Sequence, residues 1–486
     1  MRTSRVCVVA AALLVACGGG GSPLVAPTNA PASGPTTGPV SPGDTGGSGG
    51  TAAPTTEAAE PVLTIDEQGM EVVPLSWGGV GAMAAAEATN STGRYIQSMG
   101  YEVFFRDASG AVLVESSGNV FGVPPGGVAL LEASRSFDEG AAQPTSVEFV
   151  LDPPLLTDGV AFDYSDTGAI DLREIAVEIG EPRVGRNYNE NLRAFAVVTN
   201  LGSVRLQELP YTCVFRSGGA ITGGAIGSIA ELLPGGTAGL SAMPRYDAAS
   251  VPDDVRCTVN PTDRTQLTDP TDRGVEIVGS GFTTATRNYT GGVDALAAVL
   301  LHNPGTDVLT DVRVQTDLYD AAGTLIDVGN VFGGYVLPGE EAVFAPIVVP
   351  GRDEAAATSM VVGVSVGAAQ PLTAVEGIVG SEPFDLSLWT FGVLGAHYEF
   401  DGVTSGFVGE VVNPQPVIVN GGLEVTCALL QGGQVVGGQE FSGPESLPAS
   451  GTAPFDVITT PFGMLPDHDE VRCSVHVNSL FETEPG

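Results

Sequence analysis

Val312-Arg313-Val314-Gln315-Thr316-Asp317-Leu318-Tyr319-Asp320-Ala321-Ala322-Gly323 places apolar or β-branched residues at every second position and then turns on Asp-Ala-Ala-Gly. Period-two alternation puts one set of side chains on each face of a strand, and a glycine turn directly after it makes that strand the first arm of a hairpin. Equivalent strands put Val103 and Phe105, then Tyr211, Cys213 and Phe215, then Leu423, Val425, Cys427 and Leu429 on one face. A second strand follows each turn, then Pro125-Gly126, Pro234-Gly235, Pro338-Gly339 or Pro448-Ala449, a strand of the type Ala342 to Ala345, and a last alternating strand such as Met360 to Val366. Short strands, frequent Gly and Pro and no sustained 3.6-residue period predict an all-β chain of antiparallel β-sandwiches. Helix competes only at Ala82 to Ala88. Its equivalents Leu192 to Thr199 and Ala295 to His302 read as strands, so strand is expected there too.

The hairpin belongs to a unit written four times. Asn90, Asn200, Asn303 and Asn413 are each followed by a turn glycine (Gly110, Gly219, Gly323, Gly433) 19 or 20 residues on and a proline (Pro125, Pro234, Pro338, Pro448) 34 or 35 residues on. A period near 100 residues suits a string of domains rather than a solenoid. Asn90 to Asn303 and Asn200 to Asn413 are both 213 residues, whereas neighbours stand 110, 103 and 110 apart. The copied unit is therefore expected to be a pair, with modules 1 and 3 most alike and only modules 2 and 4 bridged. Expected sandwich boundaries are 61–156, 170–266, 274–373 and 385–482.

Arg2 and Arg5 precede an apolar run from Val6 to Val15 that ends in Leu14-Val15-Ala16-Cys17. The run is too short to span a bilayer and has the charged start and small-residue exit of a signal peptide, expected at 1–16. Its ending resembles the lipobox of bacterial lipoproteins, which implies lipidation of Cys17 and an extracytoplasmic, membrane-anchored protein. Residues 17–60 are rich in Gly, Ser, Pro and Thr and cannot bury enough surface to offset their ordering entropy, so they read as a disordered stalk with a span of about 35–40 Å.

With 57 acidic and 19 basic residues, all of the latter arginine, the chain carries a net charge of −38. Nucleic acid and anionic headgroups are poor partners for such a surface. Once Cys7 leaves with the signal and Cys17 takes lipid, Cys213 with Cys257 and Cys427 with Cys473 remain, one pair in each even module. Loops of 44 and 46 residues closed by a disulfide are each worth roughly 4 kcal/mol through the unfolded state. On the strand alignment Val103 and Thr316 take the cysteine's place in the odd modules, opposite Phe149 and Val362.

Leu318-Tyr319-Asp320-Ala-Ala-Gly323, followed by Val336-Leu-Pro338-Gly-Glu340 and Phe344, is similar to the FxLYD-type domain, an immunoglobulin-like β-sandwich of extracytoplasmic bacterial lipoproteins. Repeat 3 carries the match best, with Thr316 where the family has Phe. The resemblance implies fold and compartment and brings no catalytic residues.

Candidate sites are few. His302, His397, His468 and His476 recur at no common position and are expected to be solvated loop or strand residues. No nucleophile-elbow, zincin, P-loop or dinucleotide fingerprint is present. Asp263 to Asp272 at the joint of modules 2 and 3 gathers hard oxygen ligands that could hold calcium, although acidic linkers are ordinary at this net charge. Arg186-Asn-Tyr188 and Arg287-Asn-Tyr289 read as strand or corner residues, with a recognition role as the alternative; Phe121 and Phe332 of the Gly-Asn-Val-Phe-Gly strings are expected in the core. The composite expectation is a non-enzymatic lipid-anchored envelope protein that binds a protein or glycan or acts as a spacer, without a cofactor. A calcium-stiffened rod, and an accessory module or hydrolase with a site at a domain joint, are the alternatives.

Overall fold

The computed structural model describes residues 63–161, 170–186, 191–246, 251–261, 265–268, 274–286, 293–348, 357–376, 383–400, 405–458, 467–477 and 482–485. The expected signal, Cys17 and the stalk lie outside these residues, as do Asn187, Tyr188, Arg287 to Tyr289 and most of the Asp263 to Asp272 joint. Module 1 comprises β1 (Thr64–Pro74), β2 (Val80–Thr89), β3 (Tyr95–Arg106), β4 (Val112–Val123), β5 (Val128–Phe137), β6 (Ser146–Leu151) and β7 (Leu155–Thr157), in sheets ordered β1-β2-β5 and β4-β3-β6 with β7 on β3. A ribbon of β8 (Val160–Ala161) and β9 (Ile170–Asp171) leads to module 2. There β10 (Val177–Ile179), β11 (Arg183–Arg186), β12 (Leu192–Asn200) and β15 (Thr237–Ala242) form one sheet, and β13 (Arg205–Ser217), β14 (Ala220–Leu232), β16 (Asp254–Val259) and β17 (Gln266–Thr268) the other.

Module 3 pairs β18 (Glu276–Thr286), β19 (Val293–His302), β22 (Glu341–Phe344) and β23 (Ile347–Val348) against β20 (Val308–Tyr319), β21 (Leu325–Val336), β24 (Ser359–Ser365) and β25 (Ala368–Gln370). Module 4 has β26 (Gly392–Phe400), β27 (Ser405–Val412) and β32 (Thr452–Ile458) in one sheet. Its second layer splits into β28 (Val417–Asn420), β31 (Ser446–Leu447) and β34 (Glu482–Pro485), and β29 (Leu423–Gln431), β30 (Gln434–Ser442) and β33 (Glu470–Val477). All pairings are antiparallel, and the Ala-rich stretch is β2, buried along nearly its whole length.

The Asn-to-Pro spacing has a structural cause. Each repeat asparagine is at most 1 % exposed. Its Nδ2 donates to a carbonyl four residues on (Arg94, Val204, Asp307, Val417) and to one at the later turn (Val123, Leu232, Val336, Pro448), at 2.7–3.1 Å. The amide locks the end of one sheet to the Pro-Gly corner of the same sandwich. Gly126, Gly235 and Gly339 hold φ of 72°, 66° and 70° there, the positive value of a type II turn. In module 4 the turn starts one residue later, and Ser450 takes the positive φ of 46°.

The cores follow the period-two reading. Val103, Phe105, Cys213, Phe215, Val425, Cys427 and Leu429 are all at most 2 % exposed. Cys213 is bonded to Cys257 and Cys427 to Cys473, each pair directly opposite in neighbouring strands of one sheet. Immunoglobulin domains bridge sheet to sheet, so the link here staples a ladder instead. In the odd modules Val103 faces Phe149 and Thr316 faces Val362; Thr316 is fully buried and its hydroxyl finds no partner among the described residues. Three expectations fail. Phe121 is half-buried and outside the core of module 1, because Val120 beside it takes the inward place. Phe332 is 57 % exposed under the Arg313 guanidinium, because Val331 beside it takes the inward place. His476 is buried rather than solvated, since the ring sits between Tyr335 and Phe344 of module 3.

Module joints come in two kinds. Module 1 lays β1, β2 and β5 on β14, β13 and β16 of module 2, and module 3 lays β18, β19 and β22 on β30, β29 and β33 of module 4. A Cβ on Gly69 would stand 2.2 Å from the Ile221 carbonyl oxygen, and one on Gly281 1.8 Å from that of Val435. Only glycine lets backbones approach so closely. Ala85, Leu130, Val214 and Ile221 fill the first joint; Ala298, Val343, Ala428 and Val435 hold the same places in the second. Leu300, Ala345 and Leu430 extend the second where the first has Glu87, Glu132 and Arg216. Glu87 there binds Arg216 at 2.8 Å and Arg256 at 3.0 Å.

Between modules 2 and 3, β12, β14 and β15 meet β20, β21 and β24 through polar side chains beside an apolar cluster of Phe195, Tyr319, Leu325 and Val328. Arg205 and Glu231 pair at 2.6 Å with side chains 1 % and 2 % exposed. Gln315 donates to the Gly239 carbonyl at 2.8 Å and accepts from the Ala230 amide at 3.0 Å; Asp317 accepts from the Gly239 amide at 2.7 Å. Glu208 binds Arg313 and Ser365, and Arg193 binds Asp327.

Candidate functional site

A cleft of about 420 Å³ opens at the side of the first joint. Module 1 lines it with Tyr101 of β3, Ser116, Ser117 and Asn119 of β4, and Glu132 and Arg135 of β5; module 2 adds Tyr211, Ile226, Arg245 and Asn260. Both tyrosines are scaffold. Each crosses a glycine on the neighbouring strand, Gly118 or Gly227, where a Cβ would stand 2.3 Å from the phenol oxygen. Their hydroxyls donate across the sandwich, Tyr101 to the Glu132 carbonyl at 3.0 Å and Tyr211 to that of Ser241 at 2.8 Å. Burial pushes both phenols well above their usual range, so they stay protonated donors.

Charge gathers around the carboxyl of Glu132. Burial pushes it up to about 7, against the downward pull of Arg135 and Arg245. Arg135 donates to the Ser134 carbonyl at 3.1 Å, and the Arg245 guanidinium stands 6.0 Å from the Tyr246 ring centre. Neither arginine has a carboxylate within ion-pair distance among the described residues. Arg94, Arg106, Arg173, Arg193, Arg205, Arg216, Arg256, Arg313 and Arg472 all do. A guanidinium presents a planar fork of donors matched to an oxyanion, so two of them in one recess are equipped to hold an anionic group.

Of the residues singled out in the sequence, Gly118, Asn119, Val120 and Phe121 of the first Gly-Asn-Val-Phe-Gly string and Tyr211 enter this cleft. Cys257 lines a separate groove of about 320 Å³ with Ile175, Val177 and Pro261. His397 is exposed and bonds Glu399 and the Gly395 carbonyl, while His468 contacts the Tyr398 ring. The histidines do not converge. Among the described residues no group of three or more His, Cys, Asp or Glu side chains is placed to hold a metal ion, and no helix is long and apolar enough to cross a membrane. Glu132, Arg135 and Arg245 escaped the sequence reading. One signal for the first two was available: 213 residues on, their equivalents are Ala345 and Val348, a charge-to-apolar change within a duplicated strand. No family model matches the chain, and no curated protein shows significant similarity to it.

Proposed function

We propose that the chain is a non-enzymatic, lipid-anchored protein of the bacterial cell envelope that presents paired β-sandwich modules and recognises a partner in the cleft between modules 1 and 2. The observation that carries the binding role is the pair of arginines in that recess with no carboxylate at ion-pair distance among the described residues. Support for the compartment is independent: two disulfides fit an oxidising environment, and the Leu14-Val15-Ala16-Cys17 ending together with the FxLYD-type resemblance of repeat 3 fits an anchored lipoprotein. The stalk then holds the modules off the membrane, and their acidic surface keeps them soluble. Cell fractionation tests the placement. The full chain should partition with membranes and take up labelled fatty acid, and Cys17→Ala should move it to the soluble envelope fraction; a chain that fractionates identically with and without Cys17 sinks the anchor.

A further inference from the structure

We propose that the cleft between modules 1 and 2 binds a short acidic saccharide, its carboxylate held by Arg135 and Arg245 and its ring hydroxyls by Ser117, Asn119 and Asn260. The inference rests on the binding role proposed above and names its ligand class. The chain supplies its own control for the first part of the claim. The second pair builds the same joint, glycine against backbone and alanine against glycine, with Ala345 and Val348 at the places of Glu132 and Arg135. Charge at those places is therefore not required to hold two modules together. It has to be accounted for by something else that the first pair does.

The chemistry of the recess narrows the ligand. In a chain with 57 acidic and 19 basic residues, arginines with no carboxylate at ion-pair distance among the described residues are unexpected, and both that line this wall face the same space. An external oxyanion completes their hydrogen bonding. Ser117 and Asn119 are exposed on the cleft wall, and Asn260 reaches it from module 2. Hydroxyl and amide groups both donate and accept, which is what sugar hydroxyls require of their partners. A volume of about 420 Å³ lies in the lower part of the range for small-molecule sites, so the ligand is short. Size is not the only limit, because the net charge of −38 repels an extended polyanion while tolerating one or two carboxylates. The Glu132 carboxyl, which burial raises to about 7, lines the same cleft.

Titration calorimetry on the purified full chain tests this with digalacturonate as the probe, and glucose and inorganic phosphate as comparison ligands. Digalacturonate should bind, glucose should not, and Arg135→Gln and Arg245→Gln should each weaken binding about tenfold while their melting curves stay those of the parent. Glucose binding as tightly as digalacturonate overturns the role of the carboxylate. Phosphate binding as tightly overturns the saccharide assignment, and affinity unchanged in both arginine variants removes the site from the cleft. Retention of an envelope component by the parent chain but not by the arginine variants, without digalacturonate binding, leaves the binding role standing and rejects the ligand class. Loss of neither in the variants rejects both.

Discussion

Gly69 against Ile221 in the first pair, and Gly281 against Val435 in the second, let two sheets meet backbone to backbone; Arg205, Glu231, Gln315 and Asp317 bring buried polar groups into the joint between the pairs, beside the apolar cluster of Phe195, Tyr319, Leu325 and Val328. The first kind of joint occurs twice with equivalent residues, the second once. Small-residue packing needs only two flat faces without side chains in the way, so it survives duplication unchanged. A buried ionic joint is tolerable only when every partner is present, because each unpaired charge carries its full desolvation cost. The difference suggests a division of labour, in which glycine and alanine make the pair and polar matching fixes how one pair meets the next. Strain supports this reading of the second joint. Glu208 holds a left-handed φ of 52° while its carboxylate binds Arg313 and Ser365.

The most forceful way to break the comparison is to remove one half of the buried pair. Arg205→Met leaves Glu231 without its cation and should cost about 3–5 kcal/mol in urea unfolding, and adding Glu231→Leu should restore most of it. A single variant as stable as the parent would mean that the pair contributes nothing net. At the other joint, Gly281→Val drives a side chain into the Val435 carbonyl; a loss of about 3 kcal/mol is expected, with faster proteolysis between modules 3 and 4.

Acidity reaches the polar joint through Asp317. Burial raises Asp317 from its ordinary value to about 7, so the folded chain holds that proton more tightly than the unfolded one. The resulting stabilisation is complete below about pH 4 and is lost as pH rises towards 7. Protection of the Gly239 amide, corrected for intrinsic exchange, should fall across that window in the parent and stay level in Asp317→Asn. A smaller effect is expected when the first pair is rewritten as the second. Glu87→Leu with Arg216→Leu should leave stability within about 1 kcal/mol of the parent, since Leu300 and Leu430 already serve at those places. The smallest is calcium. Side chains of the chain itself hold the joint of modules 2 and 3, so millimolar calcium should move the melting temperature by less than about 1 °C, and a larger rise would revive the stiffened rod.

Much of the fold was legible because its signals are local. Val312 to Gly323 shows a strand and its turn within twelve residues, and β2 could be read as a strand despite five alanines because its equivalents were less ambiguous. The cysteine pairs followed from counting. Phe332 and His476 misled for opposite reasons: alternation says that a strand has two faces but not which large ring takes the inner one, and nothing local marks an imidazole that a neighbouring module covers.

The cleft was the least legible part. Tyr101, Glu132, Arg135, Arg245 and Asn260 come from two modules and reach one space only after both sandwiches have formed and docked. By itself the sequence determined the strands, the hairpins, the fourfold repeat with its 213-residue offset and the cysteine partners, since each depends on residues a fixed short distance apart or on an offset that can be counted. Only the tertiary structure decided which outer sheet faces meet, where charge is buried between them, and which arginines are left facing a cleft, because those outcomes depend on contacts between surfaces that periodicity marks only as facing away from their own core.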